Sequence, residues 1–270
     1  MKFTNERQIA KEKMMITTKK LSNITPLFAN WDEVIIKSCL QGHMGQAYTD
    51  NEDKPMVAKI ECLGFCFATG DANSPQAKEL LSHLDAGLEL QLNNEAWHNL
   101  VKNEMENKIY EFKRYKFKKD IGLFDRGRLN VFARKLPAGY EIVPIGESLF
   151  HELPKQYWAD GHCSQFASFD EFQRYGLGYV VKFGDELICA ASPYAYCEGM
   201  IDVQIDTVPE HRGKGIATAC AAQLILSCID RGVLPYWSAD CDESRYLAEK
   251  LGYQLEKECI CYGIKINVRS

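Results

Sequence analysis

Residues 200–218 read MIDVQIDTVPEHRGKGIAT and decide the architecture of the C-terminal half of the chain. The first half of this segment alternates apolar residues with acidic or amide residues, a pattern that predicts a strand with one dry face and one acidic face. Two glycines, Gly213 and Gly215, come next, and the residues up to Asp230 place their apolar side chains on one helical stripe. The segment therefore predicts a strand, a glycine turn and a helix that ends before Gly232.

The glycine turn predicts a cradle for an anion. The first N–H groups of a helix have no partner within the helix, and they lie at the positive end of the helix dipole. Gly213 and Gly215 have no Cβ atom that would hold a ligand away, and Arg212 and Lys214 add positive charge. A phosphate-bearing ligand fits such a turn.

Three kinds of phosphate-binding loop compete for this turn. The ATP/GTP loop needs Ser or Thr after its lysine, whereas Lys214 is followed by Gly215. The dinucleotide-binding fingerprint is matched at two of its glycines, Gly213 and Gly215, and by the acidic Asp240 after the next strand. However, Thr218 replaces its third glycine, and four residues separate the strand from Gly213. A nicotinamide enzyme is therefore the weakest of the hypotheses.

The third pattern fits best. Arg212-x-x-Gly215-x-Ala217, after Val208-Pro209 and an acid-bearing strand, resembles the pyrophosphate loop of the GNAT N-acetyltransferase superfamily, whose members bind acetyl-CoA there. Residues 237–253, WSADCDESRYLAEKLGY, are similar to the later motif of that family, Asn-x-x-Ala/Ser-x-x-Leu-Tyr-x-Lys-x-Gly-Phe.

The resemblance extends over the whole chain. The order of elements from Tyr140 to Ile266 is similar to the GNAT fold, and the start Ser38-x-x-x-Gly42-x-x-Gly45-x-x-Tyr48-x-Asp50 resembles the two-part group that includes the zwittermicin A resistance acetyltransferase. This implies an α+β fold, with a GNAT-like mixed, mostly antiparallel sheet flanked by helices behind an N-terminal α+β domain.

The domain boundary is predicted between residues 1–136 and residues 137–270. Pro137 and Gly139 interrupt the chain there, and the net charge changes from +3 before the boundary to −8 after it. The C-terminal domain is expected to bind acetyl-CoA. The N-terminal domain is expected to act as a lid or to supply part of the acceptor pocket, and a diverged GNAT-like half is one interpretation of it.

The function that the resemblance implies is the transfer of an acetyl group from acetyl-CoA, as co-substrate, to an amine on a small molecule. An amine attacks a thioester only when it is neutral, so a carboxylate must take up a proton. Asp202 is the first candidate for this base and Asp206 the second, because both lie on the acidic face of the strand, and main-chain N–H groups near Val208 would hold the thioester oxygen. The implied cofactor-binding residues are Thr207, Val208, Arg212, Gly213, Lys214, Gly215, Ile216, Ala217, Thr218, Cys241 and Ser244.

Two positions depart from the family pattern. Cys241 stands where an Asn usually contacts the cofactor, and Ala248 stands where a Tyr often protonates the departing CoA sulfur. Tyr246 or Tyr253 could replace that acid, although a helix surface and a core position describe them better. The departures support an alternative, a catalytically silent acyl-CoA-binding sensor or scaffold.

Composition excludes other classes. The 270 residues carry a net charge of −5, which lacks the basic excess of a nucleic-acid-binding protein. No apolar run suggests a secretion signal or a membrane span, and the eleven cysteines, an odd number, are expected to be reduced thiols. Neither Cys-x-x-Cys pairs nor His pairs at helical spacing support a metal site. The expected location is cytoplasmic, and the sequence leaves a homodimer open.

Five segments outside the motif carry further predictions. Residues 46–50 and 55–70 are predicted as two strands of a hairpin, and residues 76–107 as helical with a break at 85–87. Residues 110–119 are predicted as a strand with one wet, basic face, and residues 147–175 as helical.

Overall fold

A computed structural model describes residues 15–266, so residues 1–14 and 267–270 lie outside the description. The helices and strands follow one another along the chain in this order: β1 (Ile16–Thr17), α1 (Leu21–Ile24), α2 (Val34–Leu40), β2 (Gln46–Thr49), β3 (Val57–Cys62), β4 (Phe65–Gly70), α3 (Pro75–Ser82), β5 (Glu89–Leu92), α4 (Glu95–Met105), β6 (Ile109–Phe117), α5 (Arg126–Ala133), β7 (Tyr140–Pro144), α6 (Glu147–Glu152), α7 (Phe169–Tyr175), β8 (Tyr179–Phe183), β9 (Glu186–Cys197), β10 (Met200–Thr207), α8 (Ile216–Asp230), β11 (Leu234–Tyr236), β12 (Ser238–Ala239), α9 (Asp242–Leu251) and β13 (Leu255–Ile264).

The chain divides into two compact units. The first unit runs to Phe112 and resumes at Ile260, and the second unit is Lys113–Cys259. The chain passes between the units within β6 and again within β13. The boundary predicted after residue 136 lies inside the second unit, between α5 and β7, because α5 packs against α8.

The first unit contains more strands than the sequence indicated. Residues 55–70 form two strands, β3 and β4, because Leu63 and Gly64 adopt positive φ angles of 55° and 84° and close a tight turn. The predicted single strand was therefore wrong. The predicted helical segment 76–107 is interrupted beyond the predicted break at 85–87, because Glu89–Leu92 form β5, which pairs in parallel with β4. The core between these elements includes the fully buried Trp97.

The basic stretch forms the predicted strand, β6, but its wet face is smaller than expected. Lys113 is exposed, whereas Arg114 and Lys116 are buried. The cause is β12, which pairs with β6 through Ser238 and Lys116, and whose Ser238 accepts hydrogen bonds from the Arg114 guanidinium at its carbonyl and hydroxyl oxygens, 3.2 and 3.0 Å away.

The second unit contains a sheet in the order β11-β10-β9-β8-β7, which is antiparallel except for the β10–β11 pair. Helix α8 packs on β8, β9 and β10 through its apolar stripe. Strands β8 and β9 form a hairpin that turns at Gly184, at φ 61°. The predicted end of α8 before Gly232, at φ 67°, is confirmed. The predicted α+β class, with mostly antiparallel sheets flanked by helices, is confirmed.

The predicted helical segment 147–175 is only partly helical. It contains α6 and α7, and residues 156–168 between them form a loop of turns. Ala159, His162 and Phe166 anchor this loop in the interior, and the ring of Phe166 stacks on Tyr196 of β9 at 5.0 Å. The loop therefore has a defined position over the sheet of the second unit.

The cysteines behave as small core residues. Nine of the eleven are buried as free thiols, and burial raises the pKa of Cys39 to about 11. No helix within residues 15–266 combines the length and the apolar character needed to span a bilayer.

Candidate functional site

The edge of β10 opens halfway along the strand. Met200–Asp202 pair with β11, but β11 then leads into β12, which pairs with β6 instead. In the part of the chain that the structure describes, no strand covers residues 203–207 on this side. The Val208 N–H bonds to the Ile188 carbonyl of β9 at 2.9 Å, so every second residue before it, starting with Thr207, points its main-chain groups toward the open side.

The glycine turn lies at the end of this open edge. Gly213 and Gly215 have φ angles of 75° and 80°, which only glycine adopts without strain, and a Cβ atom at either position would point into open space. Gly215 is the N-cap of α8, and no side chain caps the helix. The first N–H groups of α8 are therefore available to a ligand.

A pocket of about 250 Å³ lies at this turn, and it contains seven of the predicted cofactor-binding residues. Its lining consists of Thr207, His211, Arg212, Gly213, Gly215, Ile216, Ala217, Thr218 and Lys250. The structure does not bring the other predicted residues into it. Val208 lines a neighbouring pocket, Lys214 donates to the Glu210 carbonyl at 3.2 Å, and Cys241 and Ser244 lie at the start of α9.

The positive charge of the pocket comes from two side chains, Arg212 on the turn and Lys250 on a helix, and His211 lies beside them. Arg212 bonds through Nε to the Thr207 carbonyl at 3.1 Å, and Lys250 of α9 lies 3.3 Å from the Thr218 hydroxyl. His211 is fixed by the Tyr140 hydroxyl, 2.7 Å from its Nδ1. Sequence reasoning missed Lys250 and His211, although Lys250 is the lysine of the second motif and could have been found there.

The acidic face of β10 carries a second cluster. The Asp206 carboxylate accepts hydrogen bonds from His162 Nε2 at 3.1 Å and from the Gln204 amide at 3.0 Å. His162 Nδ1 lies 2.6 Å from the Ser192 hydroxyl of β9. His162 and Ser192 are fully buried, while the Asp206 side chain keeps 41% of its surface exposed.

This environment favours the ionised form of Asp206. Burial opposes ionisation, but the hydrogen bond and charge of His162, the Gln204 amide and the field of Arg212 outweigh it, so that the pKa of Asp206 is lowered. The sequence indicated neither His162 nor Ser192, because nothing in the local pattern marks them.

The other predicted catalytic groups lie in different surroundings. Asp202 is half-buried at the last residue of β10 that pairs with β11, directly before a bulge in the pairing with β9. Tyr253 is buried and donates its hydroxyl to the Pro235 carbonyl at 2.8 Å, and burial, Cys228 and Asp202 raise its pKa. Tyr246 is exposed on the surface of α9. Tyr246 and Tyr253 therefore have the helix-surface and core positions that the sequence favoured. Ala248 is buried.

Comparison with known proteins adds three findings. The profile of the family described as GNAT acetyltransferase matches residues 25–262. The chain is 23% identical over 273 residues to YdfB, an uncharacterized N-acetyltransferase of Bacillus subtilis (strain 168), covering 92% of this chain and 97% of YdfB. It also resembles a crystal structure of a GCN5-related N-acetyltransferase-like protein from Streptococcus suis 89/1591, with a TM-score of 0.83, 33% identity, and coverage of 91% of this chain and 98% of that one.

A more distant structure shares the fold alone. A tandem GNAT protein from the clavulanic acid biosynthesis pathway aligns with a TM-score of 0.58 at 9% identity, over 92% of this chain and 97% of that one.

Proposed function

The chain belongs to the GNAT acetyltransferase family and is an acyltransferase, and from this premise we propose that it transfers the acetyl group of acetyl-CoA to an amine on a small molecule. The observation that carries the proposal is the meeting of two ligand-binding surfaces at Thr207. The open main-chain edge of β10 ends there, and the glycine cradle of α8 begins five residues later at Arg212.

The cradle fits the diphosphate of CoA. The uncapped N–H groups at the start of α8 suit phosphate oxygens, and Arg212 and Lys250 supply positive charge beside them. The pantetheine arm, which carries amides, suits the open edge of β10, where alternate residues offer both donors and acceptors. When bound, acetyl-CoA supplies an activated acyl carbonyl to this edge.

The residues of the chain would act on the acyl carbonyl and on the amine. Main-chain N–H groups of the open edge would donate to the carbonyl oxygen as negative charge develops on it. Asp206, ionised and partly exposed on the adjoining face of β10, would accept a proton from the amine directly or through one water. The C–N bond would form as the C–S bond breaks, and CoA would leave as its thiolate, which takes up a proton from water. Its free oxygen is available for this purpose because His162 and Gln204 both bond to Oδ2.

The acidic face of β10 also supports an amine of limited size. The C-terminal half is acidic overall, which attracts cations. The loop 156–168 closes over this face so tightly that a Cβ atom on Gly161 would come within 2.6 Å of the Gln204 amide. A small acceptor fits beneath such a loop more readily than a folded protein.

The proposed function is tested by incubating the protein with acetyl-CoA and a panel of small amines while free thiol is followed. We expect thiol release that depends on the amine and increases with pH toward the pKa of the amine, because only the neutral amine attacks. A reaction without amine corrects for the protein's own exposed Cys241. Tight CoA binding without thiol release for any amine, between about pH 6 and 9, would contradict the proposal and favour a silent acyl-CoA sensor.

The N-terminal unit repeats the order of elements of the second unit. The segments β1 to α4 and β7 to α9 each contain a strand, two helices, three antiparallel strands, a helix, a strand and a helix, with β12 as an additional strand before α9. In both units the strand before and the strand after the central helix are parallel. We propose that the first unit is a diverged GNAT-like half.

The equivalent cradle of the first unit is closed by its own residues. Ser74 caps α3 by accepting a hydrogen bond from the Ala77 N–H, and Pro75 at the first helical position has no N–H to offer. In addition, β4 pairs with β5 from Phe65 to Ala68. Among the described strands, this leaves only Thr69 and Gly70 of β4 without a strand partner on that side. The first unit is therefore expected not to bind CoA.

Titration calorimetry checks this expectation. We expect one CoA per chain at saturation. The variant Gly215→Asp, which places a carboxylate in the cradle of α8, should remove the heat of CoA binding at the concentrations that saturate the wild type. Two molecules of CoA per chain in the wild type, of which one remains bound in Gly215→Asp, would show that the first unit also holds the ligand.

A further inference from the structure

The loop 156–168 places one histidine between two strands of the second unit. His162 is fully buried, with Ser192 of β9 on its Nδ1 side and Asp206 of β10 on its Nε2 side. In the proposed acetyl transfer Asp206 accepts a proton, whereas His162 and Ser192 have no role.

The backbone around His162 is shaped for this position. Cys163, the next residue, has a φ of 63°, in the left-handed region that a side-chain-bearing residue rarely adopts. Gly161, the preceding residue, is in such close contact with Gln204 that any Cβ atom would displace it. A residue with positive φ on one side and a glycine packed against the Gln204 amide on the other hold His162 in its position. Backbone outliers of this kind cluster at functional sites.

The hydrogen bonds determine where the proton on the ring lies. Asp206, when ionised, can only accept, so Nε2 must carry a hydrogen. Nδ1 then accepts from the Ser192 hydroxyl when the ring is neutral, and donates to it when the ring is charged. In either state Nε2 donates to Asp206 Oδ2, which leaves Oδ1 as the oxygen available to a proton.

We propose that His162, held through Nδ1 by the Ser192 hydroxyl, is a positioning residue that orients the Asp206 carboxylate for proton uptake from the acceptor amine. This inference rests on the proposed function for its consequence in catalysis, but the hydrogen-bonded arrangement itself can be tested without turnover. The groups that face Asp206 are His162 from the loop, Gln204 from its own strand and Arg212 from the turn.

The first test is ring-nitrogen NMR of the full chain labelled with ¹⁵N-histidine. The sequence has six histidines, so the signals that disappear in His162→Gln identify His162. We expect Nε2 to carry a proton, and we expect both ring-nitrogen signals to shift in Asp206→Asn and in Ser192→Ala. A protonated Nδ1 with a bare Nε2, or signals that neither variant changes, would overturn the proposal even if the protein acetylates amines readily.

The second test uses kinetics with an amine from the panel. His162→Phe fills the same space without a donor, and we expect kcat to fall about tenfold while KM for acetyl-CoA stays within about twofold. The acid limb of the pH profile should move to higher pH, because Asp206 loses the partner that stabilises its charge. His162→Gln keeps an N–H at the end of the side chain and should recover part of the rate.

The matched control is Ser227→Ala, which removes another serine hydroxyl of the second unit that bonds to a single aromatic side chain, the Tyr179 hydroxyl at 2.7 Å. It should leave the pH profile unchanged. If His162→Phe and Ser227→Ala have the same small effect on kcat, or if the acid limb stays in place, His162 has only a structural role. Failure of the wild type to acetylate any amine contradicts the proposed function instead, and the NMR result still decides the arrangement.

Discussion

Gly215→Asp should weaken the binding of CoA by about 100-fold or more. Gly215 is the N-cap of α8 with a left-handed backbone, and the new carboxylate would lie where the diphosphate is proposed to bind. The negative carboxylate would repel the negative diphosphate, which is proposed to occupy the same place. Asp is accepted at N-caps and in the left-handed region better than most residues, so the helix should still form.

The comparison variants separate charge from bulk and from strain. Gly215→Asn has the same size without the charge and should weaken binding much less. Gly232→Asn introduces a side chain at the same kind of backbone angle, φ 67°, after the other end of α8, and should leave CoA binding unchanged. Calorimetry with CoA gives the dissociation constants, and a circular dichroism melt confirms that each variant is folded. Equal affinities for Gly215→Asp and the wild type would exclude the cradle as the diphosphate site.

Asp206→Asn should lower kcat by about 100- to 1000-fold, because a general base contributes about that much and an amide cannot take up a proton. The amide is nearly the same size as the carboxylate and can still accept from His162 Nε2 through its oxygen, so the fold should be retained. The dissociation constant of CoA should change less than about twofold, since Asp206 does not line the pocket at α8. Stopped-time assays of thiol release with saturating acetyl-CoA measure the loss.

The lowered pKa of Asp206 determines how the activity and stability of the wild type and of Asp206→Asn depend on pH. In the wild type the carboxylate is already ionised at neutral pH, so activity should increase with pH only as the amine loses its proton. The interactions that lower this pKa stabilise the folded state above the ordinary pKa of an aspartate, and that contribution is lost as the pH falls through the lowered value. The wild type should therefore lose more stability than Asp206→Asn on acidification.

Asp202→Asn distinguishes between the two candidate bases. Asp202, the first choice from sequence, lies where β11 still covers the strand, whereas Asp206 lies on the uncovered part. We expect Asp202→Asn to reduce kcat by less than about tenfold. A larger loss with Asp202→Asn than with Asp206→Asn would transfer the role of the base to Asp202.

The alternation before Thr207 and the two glycines after it were sufficient to predict β10, the turn and α8. These features depend on the conformational preferences of neighbouring residues, and such preferences can be read directly from the chain. The resemblance to the GNAT family rested on the same short segments, and the matching family profile confirmed it. The hairpin at Leu63 was missed because a leucine with positive φ is an uncommon turn residue that local patterns do not indicate.

Only the tertiary structure placed the groups that surround the acidic face of β10. His162 lies 44 positions before Asp206 and 30 before Ser192, and no periodic pattern connects residues so far apart. The burial of Arg114 likewise depends on β12, which arrives 124 positions later. The sequence alone determined the cradle, because a helix start and its glycines are local. The surroundings of the carboxylate were decided by packing, because they exist only where a loop and two strands meet.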